Sequence, residues 1–125
     1  MAVRLLLVED NEVYRSSLEL LLGLQPELEV VGAVGSGDEA ADAATRLGAD
    51  VVLMDYRLPG IDGAAATRAV IASSGAAVLC LTAEANADER DQVLRAGAVG
   101  LLEKGGPIEA LASAIRGAAV ARDAG

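Results

Sequence analysis

Several apolar, strand-like runs of this sequence are each followed, within two residues, by a polar side chain that can take part in chemistry. These side chains are Glu9, Asp10, Asp55, Thr82 and Lys104. In an open parallel sheet, ligands bind beyond the carboxyl ends of the strands. If the runs are parallel strands of one sheet, the sequence places three carboxylates, a hydroxyl and an ammonium group at one edge of it.

The chemistry that suits this set is the acceptance of a phosphoryl group beside a divalent cation. Three carboxylates repel one another unless a cation neutralises them, and all-oxygen ligands suit Mg²⁺ or Mn²⁺, with waters completing the shell. Lys104 adds a compact positive charge that can hold an anion beside the metal. Thr82 adds a hydroxyl that can donate to the same anion. An aspartate can take a phosphoryl group as an acyl phosphate.

Taken singly, each of these residues has an ordinary structural alternative. Glu9-Asp10 can be a polar turn and helix N-cap, and Thr82 can be a helix cap. Asp55 can be a turn residue, helped by Pro59-Gly60 nearby, and Lys104 can be a solvated surface lysine. Four strand ends that supply complementary groups are hard to reach by chance, so the joint pattern favours a functional site.

Composition excludes several other kinds of function. The chain has 125 residues and a formal net charge of −9, which suits one domain that repels DNA and anionic membrane surfaces. It contains no histidine, which removes Ser-His-Asp and Cys-His nucleophilic schemes and His-ligated zinc. Tyr14 and Tyr56 are its only aromatic residues, so the core must be aliphatic and stacking platforms for single-stranded nucleic acid are absent.

A cytoplasmic location is the simplest expectation. No apolar run approaches the roughly 20 residues that span a bilayer, and Met1–Arg4 leads straight into a strand-like run without a signal-peptide layout. Cys80 is the only cysteine, so an internal disulfide is impossible and the expected role is that of a small core residue.

Five strand-helix units follow one another along the chain. The expected strands are apolar runs over 3–8, 30–34, 51–54, 77–81 and 99–102, typical of strands buried on both faces. The first helix has apolar spacing at Val13, Ser17, Leu20, Leu21 and Leu24. The other helices are expected over 40–47, 64–73, 86–96 and from Pro107 onward.

Strands that alternate with helices imply right-handed crossovers and a parallel sheet covered on both faces. The second strand is followed by Gly35-Ser36-Gly37, which offers no chemistry and suits an edge strand away from the site. The predicted fold class is therefore α/β, a doubly wound five-stranded parallel sheet in a single domain over residues 1–125.

Four segments of the chain resemble the receiver domain of two-component response regulators, over essentially its whole length. The segments are Leu7–Asn11, Met54–Gly63, Leu81–Ala83 and Gly97–Lys104. Their order and spacing fit that family, and the combined motif is highly specific. The resemblance implies the flavodoxin-like strand order 2-1-3-4-5 that receivers share.

The resemblance implies how the acidic residues would be used. Asp55 would receive the phosphoryl group from a histidine on a partner sensor kinase. Asp10 and Asp55 would ligate Mg²⁺ directly, together with the backbone carbonyl of Arg57, whereas Glu9 would act through water.

It also implies roles for the residues around the phosphoryl group. Lys104 would pair with the phosphoryl oxygens, and Thr82 would swing inward to bond one of them. Ala83 is small in the family, which leaves the phosphoryl group within reach. Arg57 and Glu84, two residues beyond Asp55 and Thr82, would tune hydrolysis of the acyl phosphate.

One position departs from the family pattern. The family commonly carries Tyr or Phe three residues before the lysine, and that ring turns inward as the threonine moves. Here the position is Leu101, which has neither ring nor hydroxyl. Either the coupling between Thr82 and the output face differs in this chain, or Leu101 simply packs in the core.

The segments Asp55–Gly60 and Lys104–Pro107 look similar to the NarL/FixJ type of receiver. Members of that type usually carry a C-terminal helix-turn-helix domain, so the implied output is transcription through a DNA-binding domain that this chain lacks. A homodimer formed on phosphorylation through Ile108–Ile115 or through the segment from Ala83 to Val93 stays open.

Three other functions compete with a phosphorylated switch. A receiver-like interaction module that never takes phosphate is favoured by Leu101 and opposed by the intact polar set. A Mg²⁺-dependent phosphatase of the haloacid dehalogenase type needs a second aspartate two residues after the nucleophile, where this chain has Arg57, which cannot deliver a proton at neutral pH. An enzyme is therefore not expected. A flavodoxin is weaker still, because the first strand leads into carboxylates and not into a phosphate-cradling loop.

Overall fold

The computed structural model describes residues 2–58 and 60–124, in which five strands alternate with five α-helices. The strands are β1 (Val3–Val8), β2 (Leu28–Val34), β3 (Val51–Asp55), β4 (Ala77–Thr82) and β5 (Gly100–Glu103). The helices are α1 (Glu12–Gly23), α2 (Ala40–Leu47), α3 (Gly63–Ser74), α4 (Ala87–Arg95) and α5 (Ile108–Ala124), with a 3₁₀ turn at Gly37–Glu39. Pro59 of the predicted turn lies outside the described residues.

The strands form one parallel sheet in the order β2-β1-β3-β4-β5. This confirms the predicted fold class, and β2 lies at an edge as its empty loop suggested. The register sets the site: Val8 pairs with Met54 and Met54 pairs with Cys80 across three neighbouring strands. Glu9 and Asp55 are the next residues after Val8 and Met54, so they lie at the same height along the sheet. Thr82 lies one residue beyond Leu81, which pairs with Asp55.

Two apolar layers sandwich the sheet because successive strand residues point to opposite faces. On β3, Val52 and Met54 pack into one cluster with alanines of α2 and α3 and with Val93 of α4. Val51 and Leu53 pack into the other cluster, with leucines of α1 and small residues of α5. The alanine-rich helices let an aliphatic core close without any Phe or Trp.

Helix α1 exists as predicted, but the residues whose spacing indicated it are not the ones that it buries. The apolar spacing pointed to Val13, Ser17, Leu20, Leu21 and Leu24. The structure buries Leu18 and Leu22 instead, and it leaves Val13, Leu20 and Leu24 exposed by 78%, 65% and 73%. Leucines lie all round the second half of this helix, so periodicity alone could not choose the face that meets the sheet.

The helix caps decide two of the structural alternatives. The side chain of Asn11 accepts from the Tyr14 N–H at 2.9 Å at the start of α1, and Asn86 accepts from the Glu89 N–H at 2.8 Å at the start of α4. Asparagines therefore cap these helices, and neither Asp10 nor Thr82 does. Element ends otherwise shift by a residue or two: β2 begins at Leu28, and α5 begins at Ile108, just after Pro107.

Each helix in the described part of the chain is too short or too polar to cross a membrane.

Candidate functional site

The three predicted carboxylates meet at the carboxyl edge of the sheet. Glu9, Asp10 and Asp55 each offer an oxygen, and these oxygens all lie within 4.8 Å of one another. Glu9 follows β1 directly and Asp55 ends β3, and both are buried, with 2% and 5% of their surface exposed. Asp10 is exposed. The sheet therefore presents a half-buried acidic cluster that is open to solvent on the side of Asp10.

Lys104 supplies the positive charge of this cluster. Its Nζ lies 2.7 Å from Glu9 Oε1 and 3.0 Å from Asp55 Oδ2, and its backbone N–H donates to the Thr82 carbonyl at 2.8 Å. The ammonium also lies 5.0 Å from the ring of Tyr14, within cation–π range. The side chain is only 24% exposed, so the alternative of a solvated surface lysine does not hold.

The charge on Lys104 is held by its two carboxylate partners. Burial acts to lower the pKa of Lys104, but the hydrogen bonds and charges of Glu9 and Asp55 outweigh it, so the pKa is raised above its usual value. The ammonium form therefore persists throughout the neutral range.

Asp55 has both carboxylate oxygens in defined contacts. Oδ1 accepts from the Arg57 backbone N–H at 3.1 Å, and Oδ2 accepts from Lys104 Nζ. The first contact is the local turn that the structural alternative proposed, and it coexists with the second. The turn fixes one oxygen, so the carboxylate cannot rotate freely, while the other stays against the ammonium group.

Thr82 is buried at the end of β4, with 0% of its surface exposed. Its hydroxyl donates to Glu89 Oε1 at 3.2 Å. Ala83 and Glu84, which come next, are exposed. The structure therefore brings Thr82 to the site but commits its hydroxyl proton to a residue of α4.

Glu89 is the site residue that the sequence reasoning missed. It lies on α4 with 6% of its surface exposed, and its Oε2 pairs with the guanidinium of Arg57. One helical turn later, Gln92 Oε1 accepts the hydroxyl of Tyr56. The spacing of Asn86 and Glu89 is that of a capping box, which marks Glu89 as a local capping residue and gives no signal for its inward contacts.

The donor set fits a hard divalent cation. Three carboxylates against one ammonium leave a formal charge of −2 (−3 + 1), and every available donor is an oxygen. Within residues 2–58 and 60–124, Glu9 Oε1 is buried and receives no hydrogen bond of good geometry, although the ammonium of Lys104 is close. Negative charge that Lys104 only partly neutralises is what a bound cation would relieve.

Leu101 is a core residue, as one of its two readings predicted. It is 1% exposed, pairs with Cys80 across β4 and β5, and belongs to the cluster that contains Met54 and Val93.

Residues 5–116 match the family model described as the response regulator receiver domain. The chain belongs to this family. Receivers of two-component response regulators are phosphorylation-dependent switches. This match covers most of the chain and confirms the resemblance to receiver domains.

Curated relatives and a solved structure agree with this assignment. LiaR of Bacillus subtilis is 36% identical over 117 residues, which cover 93% of this chain and 56% of LiaR. GacA of Pseudomonas viridiflava is 36% identical over 115 residues, 91% of this chain and 54% of GacA. The receiver domain of NarL from Mycobacterium tuberculosis superposes with a TM-score of 0.90 at 30% identity, over 95% of this chain and 97% of that domain.

These matches confirm the NarL/FixJ type of receiver. This chain spans about half the length of the curated regulators it matches. A protein-glutamate methylesterase/protein-glutamine glutaminase of Myxococcus xanthus also matches, at 38% identity, but over only 30% of its length. The shared part is therefore a receiver, which is not in general an enzyme.

Proposed function

We propose that Asp55 accepts a phosphoryl group from a phosphohistidine of a partner sensor kinase, and that this modification is the switch of the domain. The observation that carries the proposal is the buried Asp55 carboxylate, held 3.0 Å from Lys104 Nζ inside a cluster of three carboxylates. A nucleophile, a counter-charge for the transferred group and a set of cation ligands are thus in one place.

The transfer exchanges one bond to phosphorus for another. An Asp55 oxygen attacks the phosphorus, the phosphorus–nitrogen bond of the donor breaks, and the imidazole leaves with the electron pair as a neutral ring when its other nitrogen carries a proton. Lys104 pairs with the phosphoryl oxygens as the Asp55 carboxylate becomes an acyl phosphate. Arg57 N–H keeps one Asp55 oxygen oriented before the transfer.

Asp10 and Asp55 are the direct ligands for Mg²⁺ or Mn²⁺ in this proposal, with the Arg57 backbone carbonyl as a third ligand and Glu9 acting through water. When bound, the ion neutralises charge on the phosphoryl oxygens. The formal charge of −2 in the cluster supports this assignment.

The switch resets by hydrolysis. Water attacks the phosphorus and the acyl oxygen–phosphorus bond breaks. The Asp55 carboxylate is regenerated and inorganic phosphate is released. Arg57 and Glu84 are exposed beside the site, and we assign to them the tuning of this step. The chain thus has self-phosphorylation and self-dephosphorylation chemistry without acting on another substrate.

The output that we propose is control of transcription through a DNA-binding domain elsewhere in the parent protein. Support comes from the transcriptional regulator LiaR, of which the chain matches about half. The net charge of −9 suits a receiver that leaves DNA to another domain. Phosphorylation-dependent homodimers are part of the proposal.

The test is intact-mass measurement after incubation with acetyl phosphate and Mg²⁺. One added phosphoryl group is expected in the native protein, and none in Asp55→Asn or in EDTA. Asp38→Asn is the matched control, since Asp38 is an exposed aspartate outside the acidic cluster, and it should be modified like the native chain.

Fluoroberyllate, a stable mimic of the phosphoryl group, separates rapid hydrolysis from a failure to react. Absence of both the adduct and fluoroberyllate binding, in a protein shown to bind Mg²⁺, would contradict the proposal. That result would favour a phosphate-independent interaction module, a reading that the buried aliphatic Leu101 supports.

A further inference from the structure

Glu89 is a buried carboxylate that touches the proposed phosphoryl site without belonging to the acidic cluster. Its side chain is 8% exposed. Oε1 accepts the Thr82 hydroxyl at 3.2 Å, and Oε2 pairs with the Arg57 guanidinium. A carboxylate is costly to bury unless it is paired and hydrogen-bonded, so these two contacts are what keep Glu89 in place.

Thr82 cannot serve Glu89 and a phosphoryl group at once, because a hydroxyl has a single proton to donate. We infer that Glu89 is a positioning residue that holds Thr82 and Arg57 in the unphosphorylated arrangement, and that it sets how readily the phosphorylated conformation forms. The inference rests on the proposed function of Asp55.

The same contacts tie α4 to the loop after the phospho-acceptor. Glu89 and Gln92 are three residues apart, so they lie on one side of α4, and they contact Arg57 and Tyr56 respectively. When Thr82 turns to the phosphoryl group, a buried Glu89 oxygen loses its partner. Such an oxygen is unfavourable in the interior, so α4 must rearrange to solvate or re-pair it.

The Glu89 side chain can be changed without removing the cap of α4. Asn86 caps the helix through the backbone N–H of Glu89, at 2.8 Å. Asp88 lies in the same first turn and is exposed. Asp88→Asn therefore removes the same charge from the same turn, but leaves Thr82 and Arg57 as they are.

The experiment measures the affinity of the native domain, Glu89→Gln and Asp88→Asn for fluoroberyllate in the presence of Mg²⁺. A glutamine amide can donate to the Thr82 oxygen and leave the hydroxyl proton free. Glu89→Gln should therefore bind about tenfold more tightly, equivalent to about 1.4 kcal/mol. Asp88→Asn should stay within about twofold of the native value, as expected for an exposed charge beyond contact with the ligand.

A thermodynamic cycle separates positioning from a general structural effect. In a Thr82→Ala background the gain from Glu89→Gln should shrink, and it should vanish when Arg57→Ala is added. Glu89→Leu fills similar space without charge and should also bind fluoroberyllate more tightly than the native domain. It replaces Glu89→Gln in the experiment if that variant does not fold.

Two failures are distinguishable. Native protein that binds Mg²⁺ but takes up no phosphoryl group and binds no fluoroberyllate would overturn the proposed function, and this inference with it. Native binding together with an unchanged or weakened Glu89→Gln, or a gain that survives in the Thr82→Ala, Arg57→Ala background, would overturn the role of Glu89 alone.

Discussion

Replacing Asp10 with asparagine should make the metal-free domain more stable while it removes the response to Mg²⁺. Asp10 offers an oxygen within 4.8 Å of oxygens of Glu9 and Asp55, and Lys104 contacts those two carboxylates. Without a cation, Asp10 adds repulsion to a cluster that already carries excess negative charge. Asp10 is therefore expected to lower the stability of the metal-free domain while it contributes to metal binding.

The size of the effect follows from the separation of the charges. At 4.8 Å, the upper limit of these separations, each like-charged pair repels by about 3.5 kcal/mol at an effective dielectric constant of about 20, and by about 0.9 kcal/mol in bulk water. Asp10 is exposed, so the lower value applies, and two pairs give about 2 kcal/mol. Attraction to Lys104 removes part of this, which leaves about 1 kcal/mol. Salt does not abolish it, because the separation is shorter than the Debye length of about 8 Å at physiological ionic strength.

Urea unfolding in EDTA and in Mg²⁺ measures both effects. In EDTA, Asp10→Asn should gain about 1 kcal/mol over the native chain. The native domain should gain about 2.7 kcal/mol at a Mg²⁺ concentration 100 times its Kd, a gain that the variant should largely lose. The control is Glu19→Gln, which removes an exposed charge on α1. This control is needed because the loss of any acidic group reduces the overall repulsion in a chain of net charge −9. A variant less stable than the native chain in EDTA, or no more stable than Glu19→Gln, would refute the reasoning.

Three further perturbations test other parts of the structure. Burial raises the pKa of Cys80 from 9.0 to about 11, so the buried thiol contributes stability below pH 9 and this contribution falls as the pH rises towards 11. Between pH 9 and pH 11 the free energy of unfolding of Cys80→Ala should fall by about 2 kcal/mol less than that of the native chain, measured by urea unfolding at several pH values. Gly63→Ala places a Cβ 2.7 Å from the Tyr56 carbonyl oxygen and should cost about 1–3 kcal/mol in thermal unfolding. Asp50→Ala removes the acceptor of Arg122 Nη1 and of the Arg4 backbone N–H, each at 2.9 Å, which should cost about 2 kcal/mol without changing fluoroberyllate affinity.

The fold and the acidic cluster could be predicted because both depend on order along the chain. Apolar runs that alternate with helical spacing specify a parallel sheet, and a parallel sheet places whatever follows each strand at one edge. Asp55 and Lys104 needed only that rule to be brought together. The strand order came from the resemblance, since alternation alone does not rank the strands.

The buried face of α1 and the role of Glu89 could not be predicted, for different physical reasons. Leu18 and Leu22 were indistinguishable from exposed leucines of the same helix, because only contact with the sheet selects a face. Glu89 lies in a polar helix, where a charged side chain is expected to face water. Its burial depends on Thr82 and Arg57, which reach it from two other segments, and no local pattern records such a meeting.

The position of Leu101 makes the polar contacts of α4 the more important route from the site to the rest of the domain. Leu101 is 1% exposed and aliphatic, so it has no polar group to gain or lose when Thr82 moves. The contact between Thr82 and Glu89 does have such a group, and it joins the end of β4 to α4. If the Thr82 hydroxyl turns to a phosphoryl group on Asp55, the group that loses its hydrogen bond is a carboxylate of α4. The core around Leu101 loses no hydrogen bond. A receiver without the usual aromatic residue can therefore still couple its site to α4, through hydrogen bonds where the family commonly uses a ring.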